Sequence, residues 1–106
     1  LIGLVAALIG GALLEAGGNA LVRQALVQRW WPLLVTGIVM FALYSVLINR
    51  SGLNVDFGRL MGCYIVAFFV VSQILAALIY RDLPSARTLL GGVLIIVGGI
   101  TLLTGV

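Results

Sequence analysis

The sequence has no histidine, no lysine and a single cysteine, Cys63. Those absences exclude whole classes of chemistry. Zinc ligand sets, CxxC redox pairs and intrachain disulfides all need more cysteine or histidine than this. A catalytic nucleophile with its base cannot be assembled from what remains, so no enzyme is expected, and no metal or cofactor. No glycine-rich loop ending in lysine is present to cradle a phosphate. Charge is equally scarce, at 8% of residues against about 25% in ordinary globular domains. The net charge of +3 is spread over loops, so nucleic acid is not an expected partner.

What is abundant is apolar. Hydrophobic residues make up 63% of the 106-residue chain, and the mean hydropathy is +1.30. Six basic and three acidic side chains cannot clothe a soluble domain, so the expected solvent for most of the surface is lipid. A spanning helix needs roughly 20 apolar residues. The sequence divides into four such runs, near 1–22, 31–48, 60–80 and 88–103, with little left over. The expected fold is therefore an all-α membrane protein, a single domain over 1–106 built as a four-transmembrane-helix bundle. Alternating segments of about 10 residues, the mark of a membrane β-barrel, are missing. The chain begins at Leu1 without a methionine, so N-terminal residues are expected to be missing; the first run lacks the basic start of a signal peptide and reads as a retained span.

Punctuation between the runs supports this division. Arg29-Trp30-Trp31-Pro32 opens the second run with an interfacial pair of tryptophans and a proline suited to a first helical turn. Asn49-Arg50-Ser51-Gly52 and Arg81-Asp82-Leu83-Pro84-Ser85 read as water-facing turns. Arg23, Arg29, Arg81 and Arg87 belong to one side, Arg50 and Arg59 to the other. That four-to-two bias is small enough to fit insertion in both orientations.

Glycines recur at sevens: Gly3, Gly10 and Gly17, with Gly11 and Gly18, in the first run, and Gly91 with Gly98 and Gly92 with Gly99 in the fourth. Seven residues is nearly two turns, so each series marks one helix face. Small faces let backbones approach where lipid gives no hydrophobic drive. They serve packing either inside one bundle or between subunits.

Glu15 is the one acid inside a span. It sits roughly 20 Å of helix rise from Leu1 and 12 Å from Arg23, near mid-membrane. An ionised acid there costs about 2.5–3.5 kcal/mol on insertion scales, which makes it the leading functional candidate. A proton and a cation competing for one buried carboxylate is the chemistry of an antiporter. Its helical neighbours Gly11, Ala12, Gly18 and Asn19 form a small, slightly polar face. Arg59 is the rival partner that would make Glu15 a structural ion pair, although Asp56 three residues earlier offers Arg59 a local pair. Tyr64 and Tyr44 are candidate aromatic walls for an organic cation, worth about 2 kcal/mol when dry; the plainer role for Tyr44 is packing.

These residues together resemble a known family. Four short spans, Glu15 with Gly18 three residues on, Trp31-Pro32 opening the second span, Gly58, and the Gly91/Gly98 pair are similar to the small multidrug resistance transporters in order and spacing over nearly the whole chain. Phe57-Gly58-Arg59 with Tyr64 resembles the F-G-R-x-x-x-x-Y stretch of the YnfA-like branch, and Ala42-Leu43-Tyr44 also fits it. The drug-exporting branch has a tyrosine and then a tryptophan in span three, where this chain has Met61 and Tyr64, and its G-x-G kink is replaced by Val66-Ala67-Phe68-Phe69. These departures point away from polyaromatic drugs and leave the exchange chemistry of Glu15.

The resemblance implies a bacterial plasma membrane and a homodimer, possible in antiparallel form, joined through the fourth helix. It implies proton-coupled export of a small cationic or amphipathic molecule, with Glu15, Tyr64, Asn19, Arg59 and Tyr44 at the site. Two alternatives stand beside it: a non-transporting membrane subunit or assembly factor, and a flippase for a lipid-linked substrate.

Overall fold

The computed structural model describes residues 2–104; Leu1, where the first span was placed to begin, lies outside them. Among the described residues there are four helices and no strand: α1 (Ile2–Gln28), α2 (Trp31–Ser51), α3 (Phe57–Ile79) and α4 (Ala86–Leu103). All four are long and apolar enough to cross a membrane. The chain is an all-α, multi-pass membrane protein, as its composition requires.

Helix ends differ from the expected span ends by a few residues, each for a local reason. α1 continues past Val22 to Gln28, because Arg23, Gln24 and Gln28 are unbranched helix formers and arginine can reach water from the edge of lipid. α2 runs through the expected turn at Asn49 and Arg50 as far as Ser51. There the Asn49 amide donates to the Ser45 carbonyl at 2.9 Å rather than breaking the helix. Pro32 does sit in the first turn of α2. At α4 the Ser85 hydroxyl accepts from the Thr88 N–H at 3.2 Å, filling the N-cap role its residue type favours.

Two turns at one end of the molecule share an unusual feature. Arg29 and Arg81 adopt φ of 55° and 56°, the left-handed conformation in which glycine is the common helix terminator. In the first, the Trp30 N–H returns to the Ala25 carbonyl at 3.1 Å; in the second, the Asp82 N–H returns to Ala76 at 3.0 Å. These bonds satisfy end carbonyls that lipid would leave unpaired.

The helices lie in the order α2–α1–α3–α4. α1 packs on both α2 and α3, and α4 packs on α3. The result is a slab of 44 × 35 × 19 Å, curled enough that Tyr44 of α2 meets Tyr64 of α3. α1 is the hub, and its glycines explain how. A methyl at Gly18 would sit 2.9 Å from the Gly37 carbonyl oxygen, and one at Gly37 would sit 2.8 Å from that of Gly18. Gly11 would press on Ile48 at 2.5 Å, and Gly17 on Met40 at 3.0 Å. The small face of α1 is thus spent on α2, inside one chain.

The fourth-helix glycines split between two uses. Gly92 lies against Phe69 and Gly99 against Val66, both on α3, whereas an added methyl at Gly91 or Gly98 meets nothing within 4 Å. One series packs the bundle; the other faces outward.

This division predicts opposite outcomes for alanine. Gly37→Ala forces two helix backbones apart and is expected to cost about 1–3 kcal/mol in reversible unfolding in mixed micelles. Gly98→Ala, placed in open space within the single chain, leaves the stability of the monomer, measured at high detergent-to-protein ratio, within about 0.5 kcal/mol.

Candidate functional site: a groove leading to Glu15

α1 and α3 run side by side and are tied at two levels by tyrosines of α3. At the inner level Tyr64, which is buried, has its hydroxyl 2.7 Å from Oε1 of Glu15 and 3.3 Å from the Gly11 carbonyl. The hydroxyl carries one proton, and the shorter contact to the carboxylate is the stronger bond. At the outer level the Tyr80 hydroxyl donates to the Ala20 carbonyl at 3.4 Å, and the guanidinium carbon of Arg23 lies 5.2 Å from the Tyr80 ring centre, a cation–π contact. Between these ties the helices part.

The parting leaves a groove of about 770 Å³. Glu15 is at its inner end; Arg23, Tyr80 and Asp82 are at its mouth, beside the α1–α2 and α3–α4 turns. Its α1 wall carries Glu15, Asn19 and Arg23 at successive turns, with Val22 and Leu26 alongside; its α3 wall carries Phe68, Ser72, Leu75 and Ala76. The walls are amphipathic, with a polar track running up α1 between apolar flanks. The Ser72 hydroxyl oxygen is buried and has no hydrogen-bond partner among the described residues.

Beneath Glu15 the groove is stoppered by aromatic rings. Tyr64 stacks on Tyr44 with ring centres 5.2 Å apart and an interplanar angle of 27°, and Phe68 follows on Tyr64 at 6.1 Å. Leu8, Ala12, Ile48, Leu60 and Cys63 complete the buried cluster around them. The arrangement has one closed and one open end. A charged group approaching Glu15 has a polar path from the Arg23 end and an apolar, packed one from the other.

The residues expected at the site divide accordingly. Glu15 and Tyr64 are brought together by the 2.7 Å bond. Tyr44 joins by stacking on Tyr64, the packing role its position first suggested. Asn19 lines the groove but donates its amide to the Glu15 main-chain carbonyl at 3.2 Å, so it supports the helix rather than the carboxylate. Arg59 stands in the first turn of α3 and is not among the residues that line the groove. Three contributors were not singled out from sequence: Arg23, Ser72 and Tyr80. Part of the signal was available as spacing, since Glu15, Asn19 and Arg23 are four apart and share one face of α1; Ser72 and Tyr80, eight and sixteen residues beyond Tyr64, turn progressively off its face and no local periodicity points to them.

Interhelical hydrogen bonds in membranes average about 0.6 kcal/mol and reach about 1.7. A short bond to a carboxylate belongs at the top of that range. A double-mutant cycle on Glu15→Gln and Tyr64→Phe, read by unfolding in micelles, is expected to give a coupling of about 1–2 kcal/mol; strictly additive effects would remove this bond from the site. No family model, curated protein or solved structure matches the chain, so the groove and its carboxylate carry the functional argument.

Proposed function

We propose that the protein is a small membrane transporter that exchanges protons for a small cationic or amphipathic compound at Glu15. One observation carries this reading: the one acid within a span stands at the inner end of an open groove, with a tyrosine hydroxyl on one oxygen. A carboxylate serving only as structural glue would be enclosed, because an exposed polar path to it weakens the pair it makes. The open groove leads protons and solutes to the same atoms. When a cation takes the carboxylate, the proton leaves along the groove; when the proton returns, the cation is released. Because both cannot hold the carboxylate at once, flow of one drives flow of the other.

The groove is open along its length, and the slab is only 19 Å thick. A second chain would supply the missing wall. The outward face of α4 with Gly91 and Gly98 is where a copy would seat closely, as the likeness to small multidrug resistance transporters implies, in a bacterial plasma membrane and with the two copies oppositely inserted. The competing reading, a non-transporting subunit seated in a larger membrane complex, uses the same outward face and leaves the groove without a purpose.

The test is transport. In proteoliposomes with an imposed pH gradient, the wild type is expected to accumulate an alkylammonium ion and to release protons as it does so. Glu15→Gln is expected to abolish both. Equal movement of all tested cations by wild type and variant sinks the proposal, and a stoichiometric unrelated protein retained through purification favours the subunit reading.

A further inference from the structure

The Glu15 groove is charged at both ends, with opposite signs on one helix face. Glu15 lies at the inner end and Arg23 at the mouth, two turns up α1, a rise of about 12 Å. Arg23 is held over the Tyr80 ring, and its N–H groups meet no acceptor among the described residues. A ring contact takes up the face of a guanidinium and leaves its edge donors available. Asp82 also lines the mouth, yet no ion pair joins it to Arg23 among the described residues. Outward of the carboxylate, the groove wall thus carries a cation whose edge donors have no hydrogen-bond acceptor among the described residues.

From this we infer that the groove takes a dipolar amphiphile: a molecule with an ammonium-type cation at its inner end, an anionic carboxylate or phosphate at its outer end, and an apolar body between. The inference rests on the reading of Glu15 as a cation site and adds Arg23 as the residue that sets specificity. A simple alkylammonium satisfies Glu15 but leaves the edge donors of Arg23 beside an apolar tail, with no anion of its own to offer them. A trailing anion converts the same charge into a charge-assisted bond. Val22, Leu26, Phe68 and Leu75 provide apolar flanks for the body. The ammonium and phosphate of a phosphatidylethanolamine headgroup are two carbons apart, too close together to reach both Glu15 and Arg23, so the ligand is a longer molecule than a common headgroup.

Binding of ω-aminooctanoate, octylamine and octanoate to the protein in phosphatidylcholine nanodiscs tests this, by calorimetry with empty discs subtracted. ω-Aminooctanoate is expected to bind about tenfold tighter than octylamine, the equivalent of one charge-assisted hydrogen bond. Arg23→Gln is expected to erase that preference while leaving octylamine bound at least as well, which also shows that the variant is folded. Arg23→Lys retains part of the preference. Equal affinities for the two amines on the wild type, or a preference that survives Arg23→Gln, overturns the inference. Octylamine binding that is indifferent to Glu15→Gln overturns instead the reading of Glu15 as a cation site. Repeating the titration with anionic phosphatidylglycerol in the discs separates a free ligand from a lipid headgroup. The preference is expected to persist, and its disappearance would assign Arg23 to lipid phosphate and refute the dipolar ligand.

Discussion

The structure turns on one short bond, from the Tyr64 hydroxyl to the Glu15 carboxylate. Lipid offers a carboxyl group nothing, so the bundle must supply a partner and a polar surround. The rest of the packing is arranged around that need. α1 gives its glycine face to α2, where Gly18 and Gly37 bring two backbones within van der Waals reach, and this leaves its other face for α3. Tyr64 then crosses from α3 to reach the Gly11 level of α1; a methyl at Gly11 would collide with Ile48 of α2 while only touching the Tyr64 ring at 3.6 Å, so this glycine is required by α2. The glycine pattern and the carboxylate thus use different faces of α1: close backbone contact with α2 on one, the polar contact with α3 on the other.

That division of faces bears on what was legible in the sequence. The four helices followed from apolar runs and bilayer thickness, which leave almost no freedom in a chain of this length. Glu15 stood out as a lone acid in lipid. Tyr64 was harder, because an aromatic in an apolar helix is ordinary packing unless something polar faces it, and a facing residue 49 positions away is invisible to local periodicity. Arg23 was read as the end of a span, when α1 carries it beyond the expected boundary and onto the Glu15 face. Seven-residue glycine spacing gave the faces but not their partners. Gly92 and Gly99 look identical to Gly91 and Gly98 in sequence, and only the position of Phe69 and Val66 sorts inner from outer.

The tyrosine nearest the carboxylate is already engaged. Tyr64 has one ring face against Tyr44 and its hydroxyl on Glu15. A ring engaged on both counts cannot also open as a flat wall for a polyaromatic guest. The free volume lies outward instead, along Asn19, Ser72 and Arg23, where walls are narrower side chains and polar groups. Recognition in such a groove depends more on charge placement and length than on stacking.

The two tyrosine ties are unequal, and their inequality sets a direction. Tyr64 bonds a titratable side chain at 2.7 Å from within a buried aromatic cluster; Tyr80 bonds a main-chain carbonyl at 3.4 Å from a half-exposed helix end. A long bond at a wet helix terminus opens at little cost, since water replaces it. The inner bond joins a carboxylate and is the stronger of the two, so it yields most readily to a group that satisfies the carboxylate as well as the hydroxyl did. In the proposed exchange an occupant enters from the Arg23 end and disturbs the inner seal by taking Glu15. On the proposed reading, a cation on the Tyr64-bonded oxygen frees the hydroxyl and loosens the α1–α3 contact below it. This is the coupling that the proposed exchange requires, and on that reading it reduces to competition for a single carboxylate oxygen.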